Sequence, residues 1–433
     1  MRMRSILTVL LAGTACLLLA GCQANDEVMP ETTFRSLLKL VAGDTADNTS
    51  FGMSGDVDGD LAIVGAPGDD VNGTNSGAAY IFSRELGGLD GWGQVTKLVA
   101  SDAAADDLFG VSVDISGDYA VVGAVAEDGA GTGRGAAYIF YRNQGGADSW
   151  GQVKKLTASA AADNDGFGFA IALEGDTLIV GADGEDGDGT DEGAAYIFYK
   201  DQGGADNWGP VVRLVAGDPD DVDQFGYSID LSGDVAVIGS PGENGTGSNR
   251  GAAYIFSRDL GGADGWGQLK KLTASDTFDD VWFGTSVALD GALAVIGAGW
   301  DNGGGTDKGA AYLFGRDQGG ADNWGQFKKL TASDAHDSDF FGYDVAVDGD
   351  YVIVGAGWSK GGGTQRGQAY VFVRSEGGTD NWGEAQILRA SDGANEDWFG
   401  FSVAIDGLYL LSGASGEDGA GVSRGAAYMF RKI

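Results

Sequence analysis

From residue 34 onward the chain alternates short apolar runs, rich in Val, Ile, Tyr and Phe, with clusters of Gly, Asp and Asn. No long apolar segment at helical spacing follows residue 22. Runs of this kind predict β-strands. They recur with a constant period. Phe-Gly falls at 51, 109, 167, 225, 283, 341 and 399, and Trp-Gly at 92, 150, 208, 266, 324 and 382, always 58 residues apart. Each copy contains four strand-like runs; in the second they are "FGVSVDI", "YAVVGA", "GAAYIF" and "VKKLTA". A tight turn joins the first two, and its glycine (Gly59, Gly117, Gly175, Gly233, Gly291, Gly349, Gly407) supplies the positive backbone angle that such a hairpin needs. One four-stranded blade is too thin to bury both faces, whereas blades stacked around an axis bury them all. The expected fold is therefore all-β: a seven-bladed β-propeller of four-stranded antiparallel blades.

The two ends of the chain predict a closed ring. The last copy stops after its third strand, "GAAYMF", and the missing fourth run stands at the beginning as "FRSLLKL" (34–40), with Phe34 in the tryptophan position. Pairing this segment into the last blade removes an open sheet edge. An open array would have no use for such a permutation.

These repeats, through "FG" and "VGAP" (Val64 to Pro67), resemble the FG-GAP repeat family of bacterial surface proteins and integrin α heads. The resemblance spans all seven copies and implies a propeller with an adhesive or recognition role. Integrin-type repeats often carry a calcium loop between the first two strands. Here that place holds the tight turn; "DVDGD" keeps Asp56, Asp58 and Asp60 but is followed by apolar "LAIV" with no distal acid.

The start of the chain reads as a targeting signal. Arg2 and Arg4 precede the apolar "SILTVLLAGTACLLLA", and "LAGC" resembles a lipobox, implying cleavage before Cys22 and lipidation of that residue. The expected organisation is a lipoprotein signal peptide (1–21), a lipid-anchored linker (22–33) and the propeller (34–433). Gln23 after the cysteine suggests the outer membrane in a Gram-negative host. Cys22 would be the one cysteine of the mature chain, which excludes an internal disulfide.

Net charge is −37, from 27 Lys+Arg against 64 Asp+Glu. That field excludes nucleic acid as a partner and favours cations or basic surfaces. Catalytic constellations are thin: His336 is the one histidine, zinc ligands are lacking, and no carboxylate pair stands out among acids present in every blade. The expectation is a protein that is not an enzyme.

Binding chemistry is better represented. If the first strand of each blade runs from face one to face two, the variable, acid-rich loops after strands two and four share face one. In the third blade Asp183, Glu185, Asp186, Asp188 and Asp191 form a candidate site for Ca²⁺. The plainer reading is that such residues cap turns through their own backbone, as recurring Asp44, Asp102, Asp218, Asp276, Asp334 and Asp392 would. Six tryptophans recur once per repeat and read as packing. Trp282, Trp300, Trp358 and Trp398 do not recur. With Phe340 and His336 they fall on face one over blades five to seven, a candidate ligand-binding patch offering rigid stacking area; larger residues filling gaps between loops are the alternative. The expected function is a cell-envelope lipoprotein that binds a glycan or protein ligand through face one. A carbohydrate-active enzyme using loop carboxylates and a structural envelope component are the alternatives.

Overall fold

In the computed structural model, residues 33–433 are described, apart from 45 and 277. The signal segment, Cys22 and the linker up to residue 32 lie outside the described residues. Twenty-eight strands form seven four-stranded antiparallel sheets, six of them in sequential order from the inner strand outward and the seventh with the first strand of the chain as its outermost. No helix occurs among the described residues.

Why the repeat folds this way can be read from its Phe-Gly step. Each phenylalanine is fully buried and packs edge-on against two aromatics of its own blade's third strand; Phe51, for example, lies 5.5 Å from Tyr80 and 6.0 Å from Phe82. Its backbone bridges to a glycine of the preceding blade in all seven cases, from Gly77–Phe109 round to Gly425–Phe51. The following glycine has φ between +87° and +97°. A Cβ on Gly110 would collide with the carbonyl oxygen of Ala78, so only glycine lets the blades approach. Apolar side chains complete the joint. Seven hydrophobic clusters each draw on two adjacent blades, and one of them unites Leu411 and Met429 of blade seven with Phe51 and Val64 of blade one.

The ring closes as the permutation predicts. Blade seven consists of Phe399–Asp406, Tyr409–Ala414 and Ala426–Lys432, with Phe34–Leu40 as its outermost strand. Phe34 pairs with Lys432 and Leu40 with Ala427. Phe34 also reaches the neighbouring blade: its ring meets Tyr351 edge-on at 5.7 Å, and its N–H and carbonyl both bond the Gln386 amide, at 2.7 and 2.8 Å. A second seam circles the axis at the hairpins. The N–H of the turn glycine in each blade donates to a side chain of the preceding blade, in the series Gly117 to Asp58, Gly175 to Ser116, Gly233 to Glu174, Gly291 to Ser232, Gly349 to Asp290, Gly407 to Asp348 and Gly59 to Asp406. The last of these joins blade seven to blade one.

One expectation about the loops needs correcting. Asp44 and its equivalents do more than cap their own turns. Asp44 accepts from the Tyr80 hydroxyl (2.9 Å) and from Lys97 Nζ (2.8 Å), and Asp276 does the same with Tyr312 and Lys329. The loop leaving one blade is thereby clamped to the outer strands of the next.

Two measurements check closure. Deleting 33–40 exposes the 426–432 edge, so the shortened protein should self-associate and lose its sharp melting transition, and added FRSLLKL peptide should restore both. Gly110→Ala should destabilise the full chain by about 2 kcal/mol or more, since positive φ and a backbone collision coincide. Unchanged elution and melting in either case would contradict the joint described above.

Candidate functional site

The inner strands surround an axial channel of about 640 Å³. Side chains alternate along a strand, so one set of residues seals the blades and the other faces the axis. The facing set is acidic: Asp56, Asp114, Asp230 and Asp344 lie within the channel, and Asp58, Glu174, Asp290, Asp348 and Asp406 belong to the seam at the face-two end. Among the described residues no Lys, Arg or His lines it. What compensates these carboxylates is backbone. Asp56 accepts the N–H of Ile115, Asp114 that of Leu173, Asp230 that of Leu289 and Asp344 that of Val403, at 2.6 to 3.1 Å. Desolvation dominates nonetheless and pushes Asp230 and Asp344 up to about 7. Burial also raises Asp56, and it raises Asp114 further because the two carboxyl groups are in hydrogen-bond contact.

At the face-one mouth the lining becomes aromatic. The position before each Phe-Gly has φ between +52° and +67° in all seven blades, and its N–H is anchored to a carbonyl of the preceding blade. Glycine suits this conformation, and Gly166 occupies it in blade three. Blades five to seven instead carry Trp282, Phe340 and Trp398 there, at a backbone cost of about 1–3 kcal/mol each. These three are joined by Trp300 and Trp358 into one unbroken row. Ring centroids are 5.4 Å apart for Trp282–Trp300, 5.3 Å for Trp300–Phe340, 5.3 Å for Phe340–Trp358 and 6.5 Å for Trp358–Trp398. All five rings are partly exposed.

A second, inner row escaped the sequence reading. Tyr343 and Phe401, two residues beyond the Phe of Phe-Gly, touch each other at 5.0 Å and both contact Trp358, at 4.6 and 5.5 Å. Both also line the channel, so the aromatic surface runs from the outer face into the axis. Across the mouth Phe169 and Tyr227, at the same register, lie 4.8 Å apart. The signal was available: this position reads Met53, Val111, Phe169, Tyr227, Thr285, Tyr343 and Phe401, variable inside an otherwise uniform repeat.

His336 does not join this surface. Its side chain is exposed, with Nδ1 3.7 Å from the Asp339 carboxylate that also accepts its backbone N–H. Nor are the five acids of blade three brought together. Glu185 is buried against Arg213 and the Tyr196 hydroxyl. Asp186 accepts the N–H of Asp191 within a turn. Asp183 lies apart from both, its charge felt by Tyr227, and burial pushes it up to about 7. Among the described residues no group of three or more His, Cys, Asp or Glu is arranged to hold a metal ion.

Fold and channel together define a closed, seven-bladed propeller with an aromatic mouth over an acidic axis. The FG-GAP repeat profile matches seven segments, 34–82, 92–140, 150–198, 208–256, 266–314, 324–372 and 382–430, and the chain belongs to the FG-GAP repeat family. Each matched segment begins with the outer strand of one blade and ends with the third strand of the next. Such a propeller is a binding or structural module. A search of curated proteins gave no match. Among solved structures, the chain is similar to Sqt1 of Saccharomyces cerevisiae, with 10% identity and a TM-score of 0.49 over 93% of this chain and 99% of that one.

The half-buried channel carboxyls set a pH dependence. An acid whose pKa is raised on folding holds its proton more tightly in the native state, so stability falls as pH rises from the unfolded value near 4 through the folded value near 7. Each such group contributes up to about 1.4 kcal/mol per pH unit in that window. The clamp residue Asp44 acts oppositely. Burial alone would raise it, but bonds from Lys97 and Tyr80 hold it below its usual range, and its contribution is lost under about pH 4. Melting temperature should therefore peak near pH 5 and decline toward pH 8, and Asp230→Asn should flatten the decline. A melting temperature that climbs steadily to pH 8 would refute this account.

Proposed function

We propose that this protein is a lipid-anchored binding module of the cell envelope that engages its ligand through face one and performs no chemistry itself. The observation that carries the reading is the row from Trp282 to Trp398: five partly exposed aromatics, none of them recurring with the repeat, stack in one row over three consecutive blades. Exposed aromatics that cluster away from the repeat's own packing positions favour recognition over gap filling. A glycan or the apolar and basic side chains of a protein fit such a surface. The anchor reading rests on the lipobox-like "LAGC". The Ile433 N–H donates to the Thr33 carbonyl and the neighbouring Lys432 N–H to the carbonyl of Leu408 in the face-two hairpin, so the propeller starts at face two. That polarity supports a membrane below face two and a ligand above face one.

One observation favours the second reading, a carbohydrate-active enzyme: carboxyl groups face one another inside the channel. Asp56, Asp114, Asp230 and Asp344, however, each already accept a backbone N–H of the next blade, an arrangement suited to holding the ring rather than to activating water. Binding is the better fit.

The test is a glycan array and envelope-protein pull-down with wild type and with the combined Trp282→Ala, Trp300→Ala, Trp398→Ala variant. Binding should weaken at least about 100-fold, from roughly 1–3 kcal/mol per lost stacking residue, with the fold intact by circular dichroism. A triple variant that binds like wild type, or sugar release abolished by Asp114→Asn, would displace the proposal. On intact cells, protease should reach the face-one "NGGGT" loop (302–306) before the face-two "GGADNWG" loop (319–325); the reverse order would invert the assigned orientation.

A further inference from the structure

The ligand's chemistry can be narrowed by asking which charges are left without a partner. On the outer strands carboxylates are matched to bases: Lys97 bonds both Asp44 and Asp69, and Lys329 both Asp276 and Asp301. The channel has no such match. Asp56, Asp114, Asp230 and Asp344 have only backbone N–H groups and, for the first two, each other. At the mouth Asp183 makes no ion pair among the described residues and is bonded only by the backbone of its own turn. The hydroxyls of Tyr227 and Tyr343, which line the channel, make no hydrogen bond within the described residues. Four features meet here: an open channel of about 640 Å³, half-buried acids without counter-charge, phenols without a protein partner, and an aromatic wall continuous with them.

We infer that the channel mouth binds an organic cation, a primary ammonium or guanidinium on an apolar stem, with the stem against Trp300, Tyr343 and Trp358 and the charged head directed to the channel carboxylates. This rests on the face-one reading above and specifies its ligand class. An inorganic divalent cation suits the site poorly. Calcium requires six to eight converging oxygens, whereas these carboxylates are each drawn back to a different blade by the N–H they accept. A neutral sugar would leave the acids unmatched, and an anion would be repelled. Aromatic faces attract ammonium and guanidinium groups through the ring quadrupole. An ammonium head also has three donors for phenol and carboxylate oxygens. A free amine and a basic side chain of a partner share this chemistry.

The experiment is a titration of the full-length protein followed by tryptophan fluorescence. The probes are n-hexylammonium chloride, n-hexanol, calcium chloride and a lysine-bearing tripeptide beside its Nε-acetyl form. Hexylammonium should give a saturable change at a concentration at least ten-fold below any produced by hexanol. Asp344→Asn and Asp230→Asn should each weaken the ammonium ten-fold or more and leave hexanol unchanged, while Trp358→Ala weakens both. Melting curves identify any variant that misfolds, and each aspartate variant serves as the check on the other. Competition by the lysine peptide but not its acetylated form assigns the cation to a partner's side chain; competition by hexylammonium alone assigns it to a small amine; both outcomes support the inference. Equal binding of hexanol and hexylammonium, wild-type affinity in both aspartate variants, or displacement of the amine by equimolar calcium would overturn it. If the glycan or partner found on face one is lost in the triple tryptophan variant yet ignores hexylammonium and Asp344→Asn, the binding reading stands and this inference falls. If the triple variant retains its ligand, both fall.

Discussion

The close approach of neighbouring blades at the Phe-Gly step is the constraint from which the rest of the molecule follows. The phenylalanine is held by two aromatics of its own blade, and the glycine beside it accepts a carbonyl of the preceding blade at a distance no side chain would tolerate. Because that contact is made by backbone, it is indifferent to what precedes it. The residue before Phe-Gly keeps the same φ and the same anchoring N–H whether it is Ser50, Leu108, Gly166 or Trp282. The scaffold thus frees one position per blade, at the rim of the axis, for side chains that carry no structural duty. That freedom allows one arc of the ring to become aromatic without disturbing the other.

How much was legible in the sequence follows from the same division. Blade number, strand order, the tight turn and closure by 34–40 were all readable, since each is enforced by residues that recur with the period. The outer aromatic row was readable for the opposite reason, as a departure from the period. The inner row left a variable register in the sequence, but which face it and the channel acids line depends on strand parity, which only the structure fixes. Asp56 and Val57 are adjacent in sequence, yet one faces the axis and the other the neighbouring blade, and Asp344 reaches the axis from a register that holds serine in five other blades. Glu185 illustrates a different error. Its register reads Asp69, Glu127, Glu185, Glu243, Asp301, Ser359 and Glu417, so its recurrence already indicated a structural partner, and that partner is Arg213.

The distribution of base is as informative as that of acid. Lys39, Lys97, Lys155, Lys271 and Lys329 each lie over a tyrosine ring, with the ammonium 5.1–5.6 Å from its centroid, and each pairs with two carboxylates. The chain has 27 basic residues for 64 acidic ones, and these outer clamps draw on the minority. Outer strands pass over solvent-facing loops, where a long lysine stem can cover an aromatic face and keep its head hydrated. Among the described residues no lysine or arginine lines the axis, and the carboxylates there are answered by backbone N–H instead.

Backbone compensation differs from ion pairing in one respect that matters for recognition. An N–H satisfies a lone pair without cancelling the charge, so the axial acids remain either protonated or electrostatically exposed, as the upward displacement of Asp230 and Asp344 shows. A site of that kind can relieve its charge by taking up protons. A cation that enters offers the same relief through contact. The propeller's regular part sets the blades, the outer lysines neutralise its periphery, and the charge left over gathers where the aromatic arc opens onto the axis.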